Sequence, residues 1–373
     1  MAYYLYHGIA ASTRRAYSSA QTQFVEFCHR RGFVNPDGNP LPASENTLCE
    51  WAVHLATRFS PRTGRFGVNP KTISAYLSAV SALHLEEGFP SVYSSGPPLL
   101  YRVLRGIKRN HAHVHARPRL PISYAILSGL VRCLDLSDGD SLVLAAACAT
   151  GFFALLRSGE FTFASYAAFD PSWQLSRGAL AFHPAGDPAP SLVELTIPSS
   201  KTDPFRTGVT LTIGLASDPA CCAVRLLHRL CRTYPLASSA PLFSLPSGRP
   251  FSRTHLVDAI RLLLPRLGLQ PEHYAGHSFR IGGATAAANM GYSDYEIKVL
   301  GRWVSHAYIP YLRLDTSRRA ALASRLSTPV PPSGWAAASA SSQRGIGASA
   351  QDTFAPFLPN PHLSLGTGHR AVE

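Results

Sequence analysis

Gly-His-Ser-Phe-Arg-Ile-Gly-Gly-Ala-Thr, at residues 276–285, predicts a helix that begins at a basic site. His277 and Arg280 are three residues apart, so they lie on one face of that helix. The small residues after them allow close packing against another element. A helix N-terminus that carries histidine and arginine can bind a phosphate group. Such a pair alone is more often structural, so its meaning depends on the rest of the chain.

A second motif, Phe-Ala-Leu-Leu-Arg-Ser-Gly-Glu, lies upstream at residues 153–160. The apolar run that precedes it predicts a buried helix over residues 141–157, ending at Arg157. A charge at the end of such a helix is either paired with Glu160 or available to an anion. A simple helix-terminal arginine is the plainer alternative.

Lysine is rare in this arginine-rich chain, with four lysines among 35 lysine and arginine residues. Lys201 lies in a Ser-Ser-Lys-Thr-Asp-Pro turn between two β-rich runs, residues 192–197 and 208–213, which are expected to form a hairpin. Lysine can lose its proton and act as an acid, whereas arginine hardly can. A lysine here therefore indicates a site where arginine would not serve, although chance could also place one of four here.

Leu-Gly-Arg-Trp-Val-Ser-His-Ala-Tyr-Ile-Pro-Tyr-Leu-Arg at residues 300–313 is the fourth motif. Taken alone, its aromatic residues are those of an ordinary core. Taken in order, the four motifs resemble the catalytic motifs of the tyrosine recombinases, the phage-integrase superfamily. The resemblance covers about residues 125–320 and is nearest to recombinases of eukaryotic mobile elements, the Crypton and DIRS-type groups. It implies these catalytic residues: Arg157, Lys201, His277, Arg280, Trp303 and Tyr311.

The chemistry of phosphodiester displacement fits these residue types. Arg157 and Arg280 would neutralise the non-bridging oxygens, and Lys201 would donate a proton to the leaving 5′-oxygen. His277 would orient the phosphate or accept the tyrosine proton, while Glu160 would brace the arginines. No metal or cofactor is expected, and no carboxylate triad suits a metal-dependent DDE integrase.

Two tyrosines compete for the role of nucleophile. Many family members place it nine residues after the His/Trp position, whereas Tyr311 follows Trp303 by eight residues and Tyr308 by five. Tyr311 is preferred because Tyr-Leu-Arg resembles the family's Tyr-Ile-Arg. Pro310 before it indicates a loop.

The patterning predicts a mainly α-helical fold with a small antiparallel β-sheet, of class α+β. Residues 1–111 read as a helical DNA-binding domain of the core-binding type and 112–121 as a linker. Residues 122–326 read as the catalytic domain and 327–373 as a disordered tail. In the first domain, N-caps are expected at Ser12, Ser44 and Asn69, and a fourth helix near residues 99–110.

Charge predicts the partner. The 373 residues carry a net charge of +13, which favours a polyanionic partner, either nucleic acid or an anionic membrane, and the resemblance implies double-stranded DNA. No acidic residue lies between Glu87 and Asp135, and without acidic neighbours these cations favour a phosphate backbone over a solvated face. The candidate DNA contacts are Arg102, Arg105, Lys108, Arg109, Arg117 and Arg119.

The resemblance further implies a tetramer on DNA. No apolar stretch reaches the roughly 20 residues of a membrane span, and the seven cysteines have no zinc-type spacing. The expected location is nuclear in a eukaryote and otherwise cytoplasmic, associated with DNA. Two alternatives remain: a catalytically silent DNA-binding derivative of a recombinase, and a type IB topoisomerase-like activity.

Overall fold

The computed structural model describes Tyr3 and residues 7–60, 64–111, 119–200, 203, 207–314 and 316–324. Lys201, Arg117, most of the predicted linker and the predicted tail therefore lie outside the described residues. Residues up to Arg313 form one compact unit, and the short helix Thr316–Ser324 belongs to a second. The boundaries expected for the domains stay a prediction.

Four long helices lie among the described residues of the N-terminal part. They are α1 (Ala11–Arg31), α2 (Glu45–Thr57), α3 (Pro70–Glu86) and α4 (Pro98–His111). The caps at Ser44 and Asn69 are confirmed, since their side chains accept from the backbone N–H groups of Thr47 and Lys71. The cap expected at Ser12 is wrong, because α1 already begins at Ala11.

The N-terminal helices enclose one apolar core. Helix α1 packs against α3, and α2 packs against α4. Trp51 is fully buried at the centre, in ring contact with Phe24 and Phe27. A two-stranded hairpin, β1 (Phe59–Ser60) with β2 (Arg65–Phe66), connects α2 to α3.

A second apolar core begins with α5 (Tyr124–Arg132), α6 (Gly139–Phe153) and the short α7 (Ser158–Phe161). The prediction that the apolar helix ends at Arg157 is wrong, because α6 ends at Phe153. Leu155 has a left-handed backbone, with φ of 47°, which breaks the helix. Arg157 is instead the N-cap residue of α7, where its backbone N–H donates to Glu160.

The predicted small antiparallel sheet is confirmed. Its strands β3 (Leu180–His183), β4 (Leu192–Ile197) and β5 (Val209–Gly214) pair in the order β3-β4-β5. The register sets Ile197 opposite Val209, so β4 and β5 form the expected hairpin. The fold class is therefore as the sequence predicted, mainly helical with one small sheet.

The last part of the first compact unit is helical. It contains α8 (Ala223–Thr233), α9 (Arg253–Leu263), α10 (His277–Asn289) and α11 (Asp294–Gly301). Helix α10 crosses α6 so closely that any side chain at Gly283 would collide with the Phe152 carbonyl. Residues His306–Tyr311 form a 3-10 helix, so the loop expected around Pro310 is wrong. None of the described helices has the length and apolar character to cross a bilayer.

Candidate active site

Glu160 lies at the centre of the site and is 5% exposed. Its Oε2 accepts from the backbone N–H of Arg157 at 2.8 Å, and its Oε1 accepts from Nη1 of the same arginine at 3.0 Å. A second guanidinium, that of Arg302, donates to Oε1 at 3.1 Å and to Oε2 at 3.0 Å. One buried carboxylate thus contacts two arginines.

Arg280 is fully buried beside this pair, on the first turn of α10. It donates to the backbone carbonyls of Leu155 and Gly301, and its Cζ lies 4.3 Å from the ring centroid of Trp303. Burial, with the positive charges of Arg157 and Arg302, lowers its pKa to about 9. The group is therefore still a cation at pH 7, held against an indole face.

His277 and Tyr311 face each other at the edge of this cluster. Nε2 of His277 lies 2.9 Å from the hydroxyl oxygen of Tyr311. Burial lowers the pKa of His277 below its ordinary value of 6.5, and the nearby Arg280, Arg253 and Arg157 lower it further. A neutral imidazole can accept the hydroxyl proton.

Comparison with known proteins gives a consistent result. No family model matches the chain. The chain is 26% identical over 290 residues to an integrase/recombinase xerD homolog of Selenomonas ruminantium, covering 75% of this chain and 74% of that protein. Its structure is similar to that of the XerH site-specific recombinase bound to palindromic difH substrate, with TM-score 0.55, 15% identity and coverage of 83% and 77%. The Tn1549 transposon integrase in complex with transposon right end DNA gives TM-score 0.52, 12% identity and coverage of 86% and 95%.

The chain is therefore similar in sequence to an integrase/recombinase homolog, and it shares its fold with the XerH recombinase and the Tn1549 integrase. The two solved structures show similarity of fold, and the sequence similarity extends over three quarters of the chain. The particular likeness to Crypton and DIRS-type recombinases stays a prediction.

The two candidate tyrosines differ in their surroundings. Tyr308 is 6% exposed and packs against Trp303, with ring centroids 5.8 Å apart. Tyr311 is more exposed and contacts both His277 and Trp303. Thr285 of α10 fixes this segment, since its hydroxyl donates to the Tyr311 carbonyl at 3.2 Å and accepts from the backbone N–H of Arg313 at 3.2 Å.

The structure thus brings together Glu160 and most of the catalytic residues that the motifs implied. The groups in contact, directly or through one neighbour, are Arg157, Glu160, His277, Arg280, Trp303 and Tyr311. Lys201 is outside the described residues. Ser200 and Asp203, which flank that turn position, line a groove of 580 Å³ together with Arg302 and Trp303.

Arg302 has no role in the motifs as the sequence presents them. A signal was present, because Arg302 precedes Tyr311 by nine residues, which is the spacing common in the family. Trp303, one residue later, has the more familiar residue type for that position of the motif. In the structure the Trp303 ring faces Tyr311, and the Arg302 side chain turns inward to Glu160.

The predicted DNA-contact residues lie mostly on α4. Arg102, Arg105, Lys108 and Arg109 are exposed, and within the part of the chain that the structure describes none has an acidic partner within 4.0 Å. Arg119 is also exposed, and its guanidinium donates to the backbone carbonyl of Glu272 at 2.5 Å. Arg117 lies outside the described residues. Leu100 and Ile107 anchor the opposite face of α4 in the core, so its cations point outward.

Proposed function

We propose that this protein is a site-specific DNA recombinase that cuts and rejoins strands through a covalent 3′-phosphotyrosine on Tyr311. The observation that carries the proposal is the 2.9 Å contact between the Tyr311 hydroxyl and Nε2 of His277, beside a cluster of arginines. The similarity to an integrase/recombinase homologue supports the same reaction class. So do two solved proteins of this fold, a site-specific recombinase and a transposon integrase, described in complexes with DNA.

The cleavage step starts with a proton transfer. His277 accepts the hydroxyl proton while the Tyr311 oxygen attacks the scissile phosphorus, and the bond to the 5′-oxygen breaks. The leaving 5′-oxygen takes a proton from Lys201. Rejoining reverses these steps, with the 5′-hydroxyl of another strand as the nucleophile. The tyrosine ester conserves the energy of the phosphodiester bond, so no nucleotide is needed.

The net charge of the site matches the transition state better than it matches the bound phosphodiester. The guanidiniums of Arg157, Arg280 and Arg302 carry three positive charges, and Glu160 carries one negative charge, which leaves +2. A phosphodiester brings one negative charge, and the five-coordinate arrangement formed by an attacking phenolate carries two. Cations fixed in place before the reaction stabilise this added charge without reorganisation.

The partner proposed is double-stranded DNA, held in part by the exposed cations of α4, with a tetramer as the working assembly. A mobile element is the proposed origin, and the nucleus is the proposed location in a eukaryotic host. The charge of +13 and the exposed basic face of α4 support the DNA partner. The mobile-element origin rests on the resemblance of the nucleophile motif.

The test is covalent trapping on nicked DNA from the flanks of the gene. Tyr311→Phe removes one oxygen atom, so the adduct should disappear while DNA affinity stays the same. Tyr308→Phe is the matched control, because it removes the same atom from a tyrosine three residues away, and it should keep the adduct. Peptide mapping of the trapped species identifies the tyrosine directly.

Three results would contradict the proposal. An adduct that persists in Tyr311→Phe and vanishes in Tyr308→Phe would move the nucleophile to Tyr308. DNA binding without any adduct in the unaltered protein would indicate the silent DNA-binding derivative. Relaxation of supercoiled plasmid that lacks a specific site would indicate a type IB topoisomerase activity.

A further inference from the structure

Arg302 has an unusual backbone for an arginine. It is the residue directly after α11, and its φ of 57° and ψ of 47° are left-handed. Helices commonly end in this conformation with glycine, because a side chain there crowds the following carbonyl oxygen. An arginine in such a place indicates that its side chain compensates for the backbone.

The side chain of Arg302 is 8% exposed and makes three hydrogen bonds. Two go to the carboxylate of Glu160, and the third goes from Nη2 to the carbonyl of Leu155 at 3.1 Å. That carbonyl also accepts from Arg280, whose other terminal nitrogen donates to the carbonyl of Gly301. Arg302 therefore shares an acceptor with Arg280, and the peptide bond between Gly301 and Arg302 supplies the second acceptor of Arg280.

Through Glu160, Arg302 also controls how the carboxylate binds Arg157. A carboxylate and a guanidinium prefer to pair through two parallel hydrogen bonds. Here Arg302 donates to both oxygens of Glu160, and Arg157 reaches the carboxylate through one side-chain nitrogen and its backbone N–H. Without Arg302, the carboxylate is free to take both ends of the Arg157 guanidinium and turn them away from a phosphate.

We propose that Arg302 is a positioning residue that holds Arg157 and Arg280 in the orientation that neutralises the scissile phosphate. The inference rests on the proposed strand-cleavage function and adds to it a residue that acts through Glu160 and the Leu155 carbonyl. The Arg302 side chain is 8% exposed and its terminal nitrogens are hydrogen-bonded to those groups, so we place its action on the phosphate through them.

The substitution Arg302→Gly separates this role from that of a helix cap. Glycine adopts the left-handed backbone without strain, so a residue needed only to end α11 would tolerate the change. Single-turnover adduct formation should instead fall by about 10- to 100-fold, the effect of small misplacements in an active site. Arg302→Lys keeps a positive charge but cannot bridge both carboxylate oxygens and the carbonyl. Its rate should therefore lie between those of the unaltered protein and Arg302→Gly. Arg249→Gln, at an arginine that is 67% exposed, is the control and should leave the rate unchanged.

A neutral methylphosphonate at the scissile position distinguishes positioning from general damage. In that substrate a methyl group replaces one non-bridging oxygen and the remaining one carries no charge, so the reaction depends less on the arginines. The loss of rate in Arg302→Gly should be several-fold smaller on methylphosphonate than on phosphodiester. If the glycine variant fails to fold, the same ratio is measured for Arg302→Lys.

Two results would overturn the assignment. Equal rates for Arg302→Gly and the unaltered protein would show that Arg302 only ends the helix. An equal loss on both substrates would show a structural defect unrelated to phosphate charge. Absence of any adduct from the unaltered protein is a different result, because it refutes the proposed function and this assignment together.

Discussion

Replacing Glu160 with glutamine removes the negative charge from the centre of the arginine cluster. The carboxylate is 5% exposed and accepts four hydrogen bonds, two from Arg157 and two from Arg302. Glutamine keeps one acceptor oxygen. Its NH2 group is itself a donor, so it cannot accept from the N–H groups of Arg157 and Arg302 that it would face. Two of the four hydrogen bonds therefore disappear, and the guanidiniums stay buried without their counter-ion.

The expected cost follows from these contacts. Hydrogen bonds to charged groups contribute about 1.5–3 kcal/mol each, so losing two costs about 3–6 kcal/mol. Removal of one partner from a buried ion pair costs about 3–5 kcal/mol in general. Both arguments predict that Glu160→Gln lowers the free energy of unfolding by about 3–5 kcal/mol. Urea denaturation measures this as a lower midpoint with an unchanged slope.

Asp140→Asn is the matched control for that measurement. Asp140 pairs with Arg249 at 3.3 Å, but the arginine is 67% exposed, so the pair is screened by water. Its loss should cost about 1 kcal/mol or less. A loss for Glu160→Gln no larger than that of the control would refute the assignment of Glu160 as the counter-ion of a buried cluster.

Three further predictions concern DNA and pH. Changing Arg102, Arg105 and Arg109 together to alanine should make the plot of log binding constant against log salt less steep. The slope should change by about 0.9 for each phosphate that the protein no longer neutralises. An unchanged slope in a titration from low to moderate salt would contradict this prediction. Because the pKa of His277 is lowered, this histidine should stay neutral down to its ordinary 6.5, so adduct formation should fall only below that pH. The stability that neutral His277 contributes should also decline only as the pH falls from 6.5 through its lowered pKa, and a rate that already falls above pH 7 would argue against this base. Ending the chain after Arg313 should leave DNA binding by monomers but prevent multimers on target DNA, which native gels resolve, and multimers of normal size would disprove a role for the C-terminal segment in assembly.

The sequence alone determined those features that depend on local chemistry. The caps at Ser44 and Asn69 follow from side chains that accept backbone N–H groups near their own position. The hairpin of β4 and β5 is equally local, because a single turn separates the two strands in the chain. The order of the four motifs was sufficient to indicate the resemblance to tyrosine recombinases, because residue types and their spacing can be taken directly from the sequence.

Only the tertiary structure decided where the helix before Arg157 ends. The apolar run continues past Phe153 to Leu156, and those residues are largely buried, so hydrophobic periodicity gives no signal for the break. The turn forms because α7 starts a new helix, in which Glu160 captures the backbone N–H of Arg157. The contact requires Glu160 to be buried at the start of this helix, and residue spacing alone does not specify that burial.

Tertiary structure also decided how two adjacent side chains, Arg302 and Trp303, are arranged within the site. Successive residues at the end of a helix point in different directions, and the left-handed backbone at Arg302 sets both directions. Arg302 turns inward because the buried carboxylate of Glu160, 142 residues earlier in the chain, is there to receive it. Trp303 then covers Arg280 and contacts Tyr311. The sequence specified the reactive groups, whereas the arrangement of charge around them depends on contacts between distant segments.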